Sequence, residues 1–128
     1  LDNAKYAVKD GGIIILVGSC REGMGQPVFE RWMNEAETPH DLVERIQKDF
    51  RLGGHKAAAI ALILERAKIY LVSEMDPELV TDIFMKPYSA VQQALDDALK
   101  EQGEDAKVMI MPYGGSTLPV LKISAASP

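Results

Sequence analysis

The sequence holds one cysteine, Cys20, which excludes an internal disulfide and any zinc site built from several thiolates. It holds only two histidines, His40 and His55, on different predicted helices, so no helical His-x-x-x-His metal pair is encoded. Basic residues are never concentrated, and the net charge is −5. A binder of nucleic-acid phosphates needs a dense basic face, so no nucleic-acid partner is expected. No apolar run approaches the roughly 18 residues of a membrane span. The longest, residues 57–64, has the length of a buried helix, so no membrane partner is expected. No secretory leader pattern is present, and a reducing, cytoplasmic setting fits the lone thiol.

What is there is one domain's worth of chain: 128 residues, 47% hydrophobic and 26% charged. Residues 1–8 carry Leu1, Ala4 and Val8 at helical spacing, and Asp10-Gly11-Gly12 supplies a stop, so the chain reads as opening inside a helix of a longer protein. Ile13-Ile14-Ile15-Leu16-Val17 is wholly apolar and β-branched, the pattern of a strand buried on both faces. Pro27 can open a helix with Val28, Phe29, Trp32 and Met33 on one side. Thr38-Pro39-His40-Asp41 is a helix start with a Thr cap and an acid three residues on. A nearly all-apolar helix is predicted over 55–67, then a strand over 68–73. A helix follows Asp76-Pro77-Glu78, and another, capped by Ser89, carries Val91, Ala94, Leu95, Ala98 and Leu99. Val108-Met109-Ile110-Met111-Pro112 reads as the third strand, 118–123 as a final one, and 124–128 as a tail.

Strands alternating with helices predict a single three-layer α/β/α domain with a mostly parallel, Rossmann-like sheet. Ligands of such sheets bind beyond the carboxyl ends of the strands. That rule selects the loops 18–26, 73–76 and 112–117. In the first, Gly23 and Gly25 let backbone amides approach an anion, although the pattern is neither a dinucleotide fingerprint nor a Walker loop. A strand–helix turn needing positive φ explains them equally. Gly53-Gly54-His55-Lys56 combines a flexible helix start with a proton-carrying imidazole and a cation suited to a carboxylate. Its plain alternative is a helix start with two solvated side chains. Tyr113 and Ser116 could donate to a ligand, or simply belong to a turn around Gly114-Gly115. Cys20 is read as a small buried hydrophobe rather than a nucleophile.

Four segments taken in order resemble one family. They are Val8-Lys9-Asp10-Gly11-Gly12-Ile13-Ile14-Ile15-Leu16-Val17, Cys20-Arg21-Glu22-Gly23-Met24-Gly25, Leu52-Gly53-Gly54-His55-Lys56-Ala57 and Met111-Pro112-Tyr113-Gly114-Gly115-Ser116-Thr117. Their order and spacing resemble the C-terminal domain of the nickel-dependent lactate racemase family, across essentially the whole chain. The resemblance implies a racemase or epimerase of 2-hydroxy acids, with the active site in a cleft between two domains. It implies a nickel-pincer nucleotide, held by an N-terminal domain that this chain lacks, which takes a hydride from the substrate α-carbon while histidine acts as base. No catalytic residue and no metal ligand are then expected in this chain. The implied partners are that N-terminal domain and a small 2-hydroxy acid. Gly53, Gly54, His55, Lys56, Gly23, Gly25, Tyr113 and Ser116 are the implied substrate- or cofactor-facing residues. The place of His55 lies near the substrate in the family, where tryptophan also occurs. A non-catalytic small-molecule or nucleotide-binding α/β module is the alternative expectation.

Overall fold

The computed structural model describes residues 1–21 and 23–120. Three parallel strands form one sheet in the order β1 (Ile13–Val17), β2 (Lys68–Val72), β3 (Lys86–Tyr88). The register pairs Ile13 with Lys68 through Val17 with Val72, and Tyr70 with Lys86 through Val72 with Tyr88. Parallel neighbours require helical crossovers. These are α1 (Pro27–Glu35), α2 (Pro39–Lys48) and α3 (Gly54–Leu64) between β1 and β2, and α4 (Pro77–Asp82) between β2 and β3. The fifth helix, α5 (Val91–Gln102), follows β3.

Alternation along central β2 divides the core in two. Ile69 and Leu71 point to one face, where Trp32, Met33 and Leu42 from α1 and α2 meet Ala57, Ala61 and Ile63 of α3. Tyr70 and Val72 point to the other, against Tyr88 and the small residues Ala94 and Ala98 of α5. Helices therefore cover both faces, and the expected three-layer α/β/α domain is what forms. Three helices start where their sequence says they should. Pro27, Pro39 and Pro77 sit in first turns, where a missing N–H costs nothing. The Asp41 carboxylate accepts from the Thr38 and Glu37 amides at 3.0 Å each, which holds it below the usual carboxylate range.

Several expectations are corrected. The opening helix is only a 3-10 turn, Ala4–Tyr6. Arg66 donates to the carbonyls of Lys5 and Val8, satisfying outside the segment the acceptors a longer helix would use. Strand β1 lies at the sheet edge, and Val17 is 59% exposed rather than buried on both faces. Ser89 does not cap α5, whose N-cap residue is Ala90. The third strand is Lys86–Tyr88, not residues 108–112, which carry no regular structure. A three-residue Lys-Pro-Tyr run is too short to show a period of two, and proline is tolerated there because β3 is an edge. Of the proposed final strand, residues 118–120 are irregular. Its remainder and the tail lie outside the described residues.

Candidate functional site

The glycine pair that opens α3 makes the site possible. Gly53 has φ +92°, a conformation that L side chains rarely adopt. A Cβ on Gly54 would stand 2.7 Å from the indole of Trp32, which is fully buried. The pair lets α3 start directly on α1, and that close approach turns His55 and Lys56 outward. The Gly53 amide donates to Nδ1 of His55 at 3.0 Å. An imidazole accepting at Nδ1 carries its neutral-form proton on Nε2. Phe50 stacks on the ring, with centroids 5.9 Å apart. His55 is thereby presented half-buried, oriented, with one N–H available. Lys56 beside it is exposed, and its ammonium makes no ion pair among the described residues.

The loop after β1 lies against this bend. Gly23 and Gly25 take positive φ and are exposed, so they serve backbone conformation rather than close packing. Gln26 joins the loop to the bend. Its Oε1 accepts from the Phe29 amide at 2.8 Å, capping α1, and its Nε2 donates to the Leu52 carbonyl at 3.4 Å. The loop after β2 closes in from the other side: the Glu74 amide donates to the Ser19 carbonyl, and Arg21 pairs with Glu74 at 3.0 Å. Loops 18–26 and 73–76 and the bend 53–56 thus gather beyond the carboxyl ends of β1 and β2. Cys20 takes φ +53° there and packs against the core as a small hydrophobe.

Tyr113 and Ser116 are placed elsewhere. Their turn closes on itself through the Ser116 amide and the Tyr113 carbonyl. It hangs from the opening segment, where the Asn3 side-chain amide donates to the Gly114 carbonyl at 2.9 Å. Arg66, just ahead of β2, fastens that opening segment, and Gly11 and Gly12 join it to the amino ends of the strands. The structure brings together Gly23, Gly25, Gly53, Gly54, His55 and Lys56, and it does not bring Tyr113 and Ser116 to them. Sequence reasoning missed Gln26 and Phe50 as positioning residues. Gln is not a favoured N-cap, and the spacing Leu42, Ile46, Phe50 reads as one helix face, whereas α2 ends at Lys48 and leaves Phe50 free to stack on His55.

The most perturbed ionisable group, Tyr70, lies away from the bend, in a cluster between α5 and the sheet. The hydroxyl of Tyr70 donates to Glu101 at 2.7 Å, and that of Tyr88 to Asp97 at 2.7 Å. Burial first, and then the carboxylate partner, pushes both phenols up. Hydrogen bonds from Lys68 and Tyr70 hold Glu101 down. The two rings lie 5.1 Å apart with the Lys86 ammonium over both. This is a clasp holding α5 to the sheet. Among the described residues no three His, Cys, Asp or Glu side chains come together to hold a metal, and no helix is long and apolar enough to cross a membrane.

Comparison with known proteins completes the site's context. The family described as "Lactate racemase C-terminal domain" matches residues 1–118. A lactate racemase of Thermoanaerobacterium thermosaccharolyticum is 33% identical over 117 residues, covering 88% of this chain and 28% of that protein. A lactate racemase of Lactiplantibacillus plantarum is 29% identical over 116 residues, covering 87% of this chain and 27% of that protein. The lactate racemase apoprotein structure from T. thermosaccharolyticum superposes with a TM-score of 0.86 at 30% identity, over 94% of this chain and 30% of that one. The chain spans less than a third of the length of these relatives.

Proposed function

This chain belongs to the lactate racemase C-terminal domain family, and from that membership we infer that it is the C-terminal domain of a longer cytoplasmic racemase or epimerase of 2-hydroxy acids. The observation that carries the reading is the oriented His55. It sits on a cluster of three segments beyond the carboxyl ends of β1 and β2, the end at which parallel sheets bind ligands. The domain closes over a substrate whose reacting centre is supplied by an N-terminal domain.

Within that division the roles of these residues follow from their chemistry. His55, accepting at Nδ1, donates from Nε2 to an oxygen of the substrate. It orients rather than deprotonates, because the nitrogen facing outward already carries its proton. Lys56 supplies a point charge for the carboxylate common to all 2-hydroxy acids. Gly53 and Gly54 position the imidazole, while the exposed amides around Gly23 and Gly25 form the rim of the same wall. Tyr113 and Ser116 face the partner domain from a second region. A nickel-pincer nucleotide of the kind the family resemblance implies would be held by the partner domain and would supply the hydride chemistry there. Closing the cleft excludes water from a reactive 2-keto acid.

The test is an assay of the full-length protein with its nickel content measured, against D- and L-forms of a panel of 2-hydroxy acids, beside the 128-residue chain alone. The full-length protein is expected to interconvert at least one pair, and the chain alone none. Full-length, nickel-loaded protein inert on the whole panel contradicts the reading.

A further inference from the structure

Residues 108–111, beyond α5, are apolar, lie outside any helix or strand and are largely exposed. Between Lys107 and Lys122 the sequence has no charged residue, in a chain that is 26% charged overall. Half of the large hydrophobic side chains exposed among the described residues fall within residues 108–120. Val108 is 53% exposed, Met109 64% and Ile110 81%. The backbone of 107–112 makes no hydrogen bond to another described residue. Consecutive β-branched and long apolar residues with free backbone donors and acceptors are a template for strand pairing. Left bare they are an aggregation hazard, so such a segment calls for a cover.

The comparisons narrow what the cover is. The family match runs through residue 118, so the segment belongs to the shared domain and is not a private extension. About seven-tenths of each relative's length lies outside the region this chain matches. We propose that residues 108–111 form an arm that adds as a strand to an exposed sheet edge of the N-terminal domain of the same polypeptide, with Val108, Met109 and Ile110 buried in the joint. This rests on the reading that the chain is one domain of a longer racemase. It goes further by assigning the surface on which the two domains meet and by setting it apart from the His55 wall. The same joint carries the Tyr113–Ser116 turn, which follows directly in the chain, toward the partner domain.

The test is hydrogen–deuterium exchange of the 108–111 amides in the full-length protein and in the 128-residue chain. Exchange is expected to slow about tenfold or more in the full-length protein and to remain fast in the chain alone. In a second measurement, Ile110→Asp should leave the melting temperature of the chain alone within about 2 °C, because the side chain is solvated there, yet abolish the protection in the full-length protein. Equal, fast exchange in both proteins overturns the arm. So does slow exchange in the chain alone, whether it depends on concentration (a second copy) or not (docking on β1). Racemase activity is measured on the same full-length sample. An active protein with an unprotected arm sinks the arm alone, and an inactive protein with a protected arm sinks the racemase reading alone.

Discussion

Two glycine pairs in this chain look alike in sequence and are unlike in cause. At Gly53-Gly54 the fold itself demands glycine: one residue needs φ +92°, and the other lies against a fully buried indole. At Gly114-Gly115 the fold demands nothing. Neither residue has a left-handed φ, and an added Cβ meets only the Met111 carbonyl at 3.7 Å in one case and open space in the other. Both residues are exposed. The exposed pair is not required by the packing of the described residues, whereas the glycine wedged under Trp32 is required by the core. The first pair builds the wall that presents His55, and the second belongs to the region assigned to the partner domain.

The comparison can be broken most forcefully at Trp32. Trp32→Ala should cost about 3–5 kcal/mol of chain stability, read by urea unfolding, because it empties the space on which Gly54 rests. Gly54→Ala should cost about 1–3 kcal/mol through overpacking. Combined with Trp32→Ala it should cost less than the sum, with a coupling of about 0.5–3 kcal/mol. Strict additivity would mean that the indole does not dictate the glycine. Gly53→Ala should cost about 1–3 kcal/mol from its strained backbone alone, and it should also displace the Gln26 side chain that caps α1.

A smaller effect tests the joint between α2 and α3. His40 is held above its ordinary pKa by its hydrogen bond to Glu65, aided by the charges of Glu65, Glu44 and Asp41. A pKa raised by folding gives stability that is fully present below the unfolded value of about 6.5 and is lost as pH rises through the folded value. The melting temperature of the wild type should therefore fall toward that of His40→Gln as pH is raised from about 6 to 8.5, and the two should differ most at the acid end. The exposed setting keeps the difference small. Smallest of all, Gly114→Ala and Gly115→Ala should each change chain stability by less than about 0.5 kcal/mol. A large loss at either would erase the contrast between the pairs.

The layers of the fold were legible because their signals are local. Pro27, Thr38-Pro39 and Asp76-Pro77 mark helix starts by chemistry that works within one turn. The strand at 13–17 is marked by consecutive β-branched residues. What could not be read depends on neighbours. Val108-Met109-Ile110-Met111 has every local property of a strand and lacks only a partner within the described residues. Lys86-Pro87-Tyr88 has almost none of those properties and becomes a strand because β2 offers it an edge. The candidate site was legible as motifs, since glycines beside a histidine and a lysine are visible in any reading. Its assembly was not, because Gln26 acts across the fold on the Leu52 carbonyl and Phe50 reaches His55 only because α2 stops short of it. The separation of Tyr113 and Ser116 from His55 follows from the misassigned third strand, which had placed their turn at a strand tip.

The most direct test of the account is the kcat/KM for 2-hydroxy acid interconversion by the full-length protein carrying His55→Asn. The asparagine can still accept from the Gly53 amide, so the bend is preserved, but it does not reach the substrate. A loss of about tenfold or more, with the melting temperature of the 128-residue chain kept within about 5 °C, is the predicted result. Wild-type kcat/KM in that variant would contradict the assignment of this wall to the substrate.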